Sequence, residues 1–252
     1  MVKIEYLFIF ILGIIFGSFL NVFVWRTRER MSLIFGRSIC PQCQKHLKWF
    51  HNIPLFSFIF LKGKCVFCLE KISWQYPLVE FFLGILFVFT AYFYSFNYLL
   101  MARDFFILFF LLAIFVYDLQ YQEIWDRMTI FPAIVVFFFS LVFSLITWQS
   151  MVFGILFGWG FFLLQFIISQ GKWIGGGDIR LGIFMGVVLS WPLILLALML
   201  AYVFGAIFSA PLLIMKKKTL ASKVPFGTYL CVATFVAMYW GMDVIYWYIG
   251  LL

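Results

Sequence analysis

Two acidic residues stand at the ends of long apolar runs. Asp178 directly follows Gly175-Gly176-Gly177 in the largely apolar stretch 171–190, and Asp118 ends the apolar run 105–117. An ionisable side chain at membrane depth is costly and is by default a functional candidate. Glycine lets the backbone approach a ligand closely. We therefore predict Asp118 and Asp178 as a catalytic pair, with Gly175 and Gly177 in support.

Two carboxylates that meet would hold one proton between them and suit acid–base hydrolysis. No Ser/His or Cys/His set competes, because His46 and His51 both lie in a hydrophilic segment. The alternative is that each acid merely ends a helix at the membrane interface, with Asp118 paired to Arg127 or a nearby lysine. The presence of both acids and the glycine leader favours the catalytic pair.

The cysteines form a metal-binding pattern. Cys40-x-x-Cys43 and Cys65-x-x-Cys68 are each predicted to form a knuckle turn, and four thiolates at this spacing suit a structural Zn²⁺ site. Disulfides are the alternative, which a reducing cytoplasm disfavours. Cys231 lies in an apolar run and is interpreted as a core residue.

The composition excludes a soluble domain. Of 252 residues, 66% are hydrophobic and 11% charged, whereas a soluble chain is about 25% charged. The net charge of +8 does not indicate nucleic acid, because the basic residues lie between apolar runs. The expected partner is the lipid bilayer.

The apolar runs predict an all-α, polytopic membrane protein with about eight transmembrane helices. A small zinc-knuckle insertion lies between the first two spans. We divide the chain into a first transmembrane helix (1–25), a zinc-binding insertion (26–76) and a transmembrane bundle (77–252). The spans are predicted at 4–25, 77–97, 104–119, 129–148, 151–170, 174–190, 192–214 and 226–250.

Charge predicts the orientation. The segment 26–75 is rich in Lys and Arg, so the positive-inside rule places it in the cytoplasm and the N-terminus outside. The segments 120–128, 171–177 and 216–218 then share the cytoplasmic side. Residues 172–215 therefore cross an even number of times, and Pro192 near their middle indicates a hairpin. The active site would face the cytoplasm.

Small residues and one further acid complete the pattern. Gly13-x-x-x-Gly17, Gly154-x-x-x-Gly158 and Gly182-x-x-x-Gly186 allow close helix packing, although each spacing alone is a weak signal.

Glu80 falls one turn into the second span. It either faces a polar interior near the active site, in a supporting role, or pairs with Arg26 or Lys71.

The chain resembles the type IV prepilin peptidases, the GxGD membrane aspartic proteases, almost from end to end. The blocks that carry the resemblance are Gly17-Ser18-Phe19-Leu20-Asn21-Val22, Cys40-Pro41-Gln42-Cys43, Asn52-Ile53-Pro54, Cys65 with Cys68, Ile72-Ser73, Tyr76-Pro77-x-x-Glu80, Asp118 with Ile124 and Asp126, Gly175-x-Gly177-Asp178 and Pro225-Phe226-Gly227. Trp125 stands where the family usually has proline.

The resemblance implies cleavage of a short basic leader from type IV prepilins or pseudopilins, after its final glycine, at the cytoplasmic side of the inner membrane. It also implies N-methylation of the new amino terminus with S-adenosylmethionine, for which no residue set here independently indicates a site. Two alternatives stay open. One is a non-catalytic transporter with buried acids, and the other is a GxGD protease that acts on other membrane helices.

Overall fold

The computed structural model describes residues 2–33, 36, 38–214 and 225–251, and these are almost entirely helical. Apolar runs in lipid must satisfy their backbone hydrogen bonds internally, which favours helices. The elements in chain order are α1 (Val2–Arg28), a 3₁₀ turn (Trp49–Asn52), α2 (Phe56–Phe60), α3 (Gln75–Phe93), α4 (Tyr98–Tyr121), α5 (Asp126–Val142), α6 (Trp148–Ser169), α7 (Gly176–Ile214) and α8 (Phe226–Ile249).

Each of the eight predicted spans falls on a helix. Among the described elements, the number of separate helices long enough to cross a membrane is smaller than eight. Within the described residues, 6 helices are long and apolar enough to cross a membrane, namely α1, α3, α4, α6, α7 and α8. Helix α5 has 17 residues and stops at Val142, short of the predicted end at 148. Ser144 ends it by adopting a positive φ of 49°. Helix α7 combines two predicted spans. The Lys216-Lys217-Lys218 run lies outside the described residues.

Two glycine pairs bring α6 and α7 into backbone contact. Gly154 lies against the carbonyl of Gly186, and Gly158 lies against the carbonyl of Gly182. The order of these contacts makes α6 antiparallel to the first part of α7. Any side chain at these positions would collide with backbone, so the small-residue spacings predicted from sequence do form a packing seam.

The chain reverses direction inside α7. Ser190 and Trp191 have non-helical dihedral angles, and Ser150 of α6 exchanges hydrogen bonds with the Trp191 backbone at 2.9 and 3.2 Å. Beyond this break, Ile194 contacts Gly158 and Tyr202 reaches Gln165, so the second part runs parallel to α6. These contacts agree with the predicted hairpin near Pro192.

The chain forms two compact units, residues 1–113 and 114–252, with the division inside α4. In the first unit α1 and α3 are antiparallel and in close contact: a Cβ atom at Gly13 would lie 2.6 Å from the Cα of Gly84, and one at Gly17 would lie 2.6 Å from the Cα of Glu80. The division at residues 25 and 76 stays a prediction.

Candidate active site and cysteine cluster

Asp118 is held by the start of α8. Its Oδ2 accepts a hydrogen bond of 2.9 Å from the backbone amide of Thr228, and the Gly227 amide also donates to it. The first amides of a helix have no partner within the helix and favour an anion. The side chain is 4% exposed, so this carboxylate is buried and held by backbone donors.

Gly227 makes this approach possible. A Cβ atom there would lie 2.9 Å from Asp118 Oδ2 and 2.9 Å from Ile124 Cδ1. No other residue type fits without a shift of its neighbours. The turn Pro225-Phe226-Gly227 was singled out from the sequence, but its contact with Asp118 was not foreseen.

Asp178 lies in the first turn of α7. Its Oδ2 accepts a hydrogen bond of 3.1 Å from the amide of Gly175. The first of the three glycines before Asp178 therefore holds the carboxylate directly. A Cβ atom at Gly177 would lie 2.8 Å from the Cβ of Ile124. Ile124 therefore packs against both Gly177 and Gly227.

Ile124 connects the surroundings of the two acids, because it contacts Gly177, which precedes Asp178, and Gly227, which lies against the Asp118 carboxylate. The second unit thus brings together the end of α4, the loop after it and the starts of α7 and α8. Water and a peptide group between two such carboxylates would meet a proton acceptor and a proton donor. An isolated acid that only ends a helix would not need a glycine on each neighbouring helix.

Asp126 and Arg180 form an ion pair that sequence reasoning missed. Asp126 begins α5, Arg180 lies in the first turn of α7, and the two side chains are 65% and 40% exposed. No short spacing in the sequence indicates this pair, because the partners are 54 positions apart. It links the loop after Asp118 to the helix that carries Asp178.

The four cysteines of the first unit converge. Their sulfur atoms all lie within 4.8 Å of one another, and none of the five cysteines is in a disulfide. The first pair stands on a turn in which the Cys40 amide bonds the Lys45 carbonyl at 3.0 Å, and the second on one in which the Cys65 amide bonds the Glu70 carbonyl at 2.9 Å. The two turns have the same hydrogen-bond pattern.

The cluster fits a tetrahedral metal. Zn–S bonds of about 2.3 Å require sulfur–sulfur separations of about 3.8 Å, and the Sγ atoms of Cys40 and Cys68 are 3.9 Å apart. Backbone amides of Cys68 and Phe67 lower the pKa of Cys65 to about 7. The pKa of Cys68 is instead raised to about 11, because the hydrogen bond from the Glu70 amide is outweighed by burial and the neighbouring thiols. The hydrogen bonds to Cys65 favour the thiolate that a metal requires.

Glu80 has no basic partner among the described residues. The predicted pairing with Arg26 or Lys71 is not found. Its Oε2 instead accepts a hydrogen bond of 2.8 Å from the Leu55 amide, and Ser18 also donates to the carboxylate. Arg26 is bound to backbone carbonyls, including that of Gly36 at 2.8 Å.

Helical spans, a pair of carboxylates at helix ends and a four-cysteine cluster define a multi-pass membrane protein with a hydrolase-like site. A profile of the bacterial peptidase A24 N-terminal domain matches residues 11–94, and one of the type IV leader peptidase family matches residues 105–210. The chain belongs to the type IV leader peptidase family.

Several similar proteins cover nearly the whole chain. The prepilin leader peptidase/N-methyltransferase of Stutzerimonas stutzeri is 30% identical, over 92% of this chain and 89% of its own length. The protein of the same name from Bacillus subtilis is 30% identical over 96% of both chains, and that of Pseudomonas aeruginosa is 28% identical over 92% and 89%. No solved structure matches the chain.

Proposed function

We propose that this protein cleaves the leader from type IV prepilins or pseudopilins and methylates the new amino terminus. Membership of the leader peptidase family supports the cleavage, and the names of the relatives support both activities. The single structural observation that supports the peptidase proposal is the packing of Ile124 against Gly177, next to Asp178, and against Gly227, which touches the Asp118 carboxylate.

Asp118 and Asp178 share the work of hydrolysis as a pair with one proton. The ionised carboxylate takes a proton from the attacking water. The protonated one polarises the scissile carbonyl and then helps the amine leave. The backbone amides at Asp118 and Asp178 hold each carboxylate in place before the substrate arrives.

The four-cysteine cluster binds structural Zn²⁺ through Cys40, Cys43, Cys65 and Cys68. Its sulfur spacing supports this assignment, and four thiolates leave no open position on the metal. A short segment with little apolar core gains much of its folding free energy from such a site.

The protein lies in the inner membrane with its N-terminus outside, and both the insertion and the two acids face the cytoplasm. The excess of Lys and Arg in residues 26–75 supports this orientation. The starts of α7 and α8 and the end of α4 lie together in the second unit, as a shared side of the membrane requires.

The test uses the purified full chain in detergent with a synthetic prepilin and S-adenosylmethionine. Mass spectrometry should show loss of the leader and gain of one methyl group on the new amino terminus. An intact prepilin after prolonged incubation with folded, metal-loaded protein would contradict the proposal.

A further inference from the structure

A cavity of about 360 Å³ lies in the first unit. It lies between the second half of α1, the start of α3 and the cysteine segment, and all its lining residues fall between Ser18 and Glu80. Its size is in the range of pockets that hold small molecules, about 300–1,000 Å³. Asp118 and Asp178 are not among the lining residues.

Asn21 presents an unused acceptor to this cavity. The side chain is 3% exposed, and its Nδ2 donates a hydrogen bond of 3.1 Å to the Tyr76 carbonyl, which fixes the orientation of the amide. Within the described residues the Oδ1 atom has no hydrogen-bond partner. Buried acceptors are normally paired, so this atom indicates a ligand that donates.

Glu80 lies beside the same space with a carboxylate that forms no ion pair in the described part of the chain, although Arg26 and Lys71 also line the cavity. It is 7% exposed, and its described partners are the Leu55 amide and the Ser18 hydroxyl. No Lys, Arg or His nitrogen of the described residues forms an ion pair with it. A buried carboxylate without a basic partner is costly, and a cationic ligand would offset that cost.

Glycine and helix register place these two acceptors together. Gly17 allows the backbone of Glu80 to touch α1. Because α1 and α3 are antiparallel, the next turn of each helix pairs Asn21 with Tyr76. The two acceptors therefore lie one helical turn apart on a rigid pair of helices.

The other walls of the cavity are largely apolar, with Val22, Leu47, Ile53 and Phe58 among them. A ligand that fits would carry a protonated amine at one end and a flat, largely apolar group at the other. S-adenosylmethionine has an α-ammonium group, a sulfonium and an adenine ring.

We propose that this cavity binds S-adenosylmethionine, with Glu80 and Asn21 accepting hydrogen bonds from the α-ammonium group. The inference rests on the proposed methyltransferase activity and gives that activity a site in the first unit. Cys40 and Cys65 also line the cavity, so the metal site stabilises one of its walls. Chelation of the metal should therefore weaken binding of the methyl donor.

The test compares ligands as well as variants, by calorimetric titration of the purified full chain. S-adenosylhomocysteine keeps the amino-acid end, whereas 5′-methylthioadenosine keeps the nucleoside and lacks that end. We expect S-adenosylhomocysteine to bind at least about tenfold more tightly, because a charge-assisted hydrogen bond is lost in the shorter compound. Glu80→Gln, which keeps the acceptor for the Leu55 amide, should abolish this difference.

Glu29→Gln is the matched control. Glu29 is an exposed acid of the first unit that does not line the cavity, so its neutralisation should leave the Kd for S-adenosylmethionine unchanged. Asn21→Leu should raise that Kd about tenfold or more. Metal content and thermal unfolding verify that each variant is folded.

Ultraviolet cross-linking of labelled S-adenosylmethionine to the unmodified chain gives an answer that does not depend on any variant. Label on peptides from residues 18–80 supports the site, whereas label confined to residues 114–251 overturns it. A wild-type Kd in both Glu80→Gln and Asn21→Leu also overturns it. The site is also overturned if Glu80→Gln weakens the binding of a cleaved pilin peptide and leaves the binding of the methyl donor unchanged.

A cleavage assay on the same preparation separates this inference from the peptidase proposal. Protein that cleaves a prepilin but does not bind S-adenosylmethionine overturns the inference and leaves the peptidase proposal intact. Protein that binds the methyl donor in this cavity but cleaves nothing supports the inference and contradicts the peptidase proposal.

Discussion

The backbone amide of Thr228 donates a hydrogen bond to the carboxylate of Asp118 across 110 positions of sequence. This contact favours the catalytic interpretation of Asp118 over the interfacial one. An interfacial acid would pair with Arg127 or a lysine, yet within the described residues Asp118 forms no ion pair. Its known partners are the first amides of α8, which orient a carboxylate without neutralising it.

Asp104 shows the opposite arrangement in the first unit. It is fully buried, forms an ion pair of 2.7 Å with Arg103 and accepts a hydrogen bond of 2.8 Å from Tyr94. A basic partner and a hydroxyl satisfy this acid within the fold. Asp104 and Asp118 are therefore both buried, and they differ in their partners: a cation and a hydroxyl for Asp104, backbone amides for the proposed catalytic acid.

Asp118→Asn and Asp178→Asn should each reduce the cleavage rate by about 10²- to 10⁴-fold or more. Asparagine keeps an oxygen that accepts the amide of Thr228 or Gly175, so the fold should persist while the proton chemistry is lost. Cleavage of a synthetic prepilin by purified protein is the measurement. Asp243→Asn, at an exposed acid near the end of α8, is the matched control. Full activity in either catalytic variant would rule out the pair.

Gly227→Ala should slow cleavage with little loss of helix content. The added methyl group would lie 2.9 Å from the Asp118 carboxylate, so the carboxylate must move away from the amides that hold it. A displacement of about 1 Å is enough to lower a rate by about 10²-fold. Gly160→Ala on α6, where an added Cβ meets nothing within 4 Å, should be neutral. Equal rates in the two variants would contradict the proposed role of Gly227.

Removal of the metal should unfold the cysteine segment locally. We expect one zinc per chain in wild-type protein, and its loss after Cys40→Ser or treatment with a strong chelator. The segment 38–72 should then be cut by protease, because a structural zinc site contributes about 10–16 kcal/mol to folding in small domains. Cys231→Ala, which alters a buried cysteine of the second unit, should keep the metal. Wild-type zinc in a variant without the four cysteines would refute the assignment.

The Asp126–Arg180 ion pair should contribute little to stability. Both side chains are substantially exposed, and such pairs contribute about 0–1 kcal/mol. Asp126→Ala, Arg180→Ala and the double variant should therefore have free energies of unfolding within about 1 kcal/mol of wild type. We also expect Asp126→Ala to retain far more cleavage than Asp118→Asn. Loss of cleavage equal to that of Asp118→Asn would make Asp126 a candidate for the chemistry itself.

The sequence was sufficient for the features that depend on local composition. Apolar runs predict helices because a backbone in lipid has no other hydrogen-bond partners. The Cys-x-x-Cys spacing predicts a cluster because each pair is held by its own short turn. The glycine leader at Asp178 is local too, since Gly175 and the acid it binds are three positions apart. The hairpin was predicted from charge and Pro192, and its contacts agree.

Only the tertiary structure decided which distant groups meet. Three sets of contacts join segments that no sequence spacing relates. They are the contacts of Asp118 with Gly227 and Thr228, the packing of Ile124 against Gly177 and Gly227, and the Asp126–Arg180 ion pair. The structure also gave Glu80 an amide and a hydroxyl as partners, and not the basic residue that was one of the two alternatives from sequence. Such contacts depend on the register with which helices pack. A glycine permits close packing, but its position in the sequence does not show which helix packs against it. The composition of a segment determines its secondary structure, whereas the packing of the helices determines which segments contact one another.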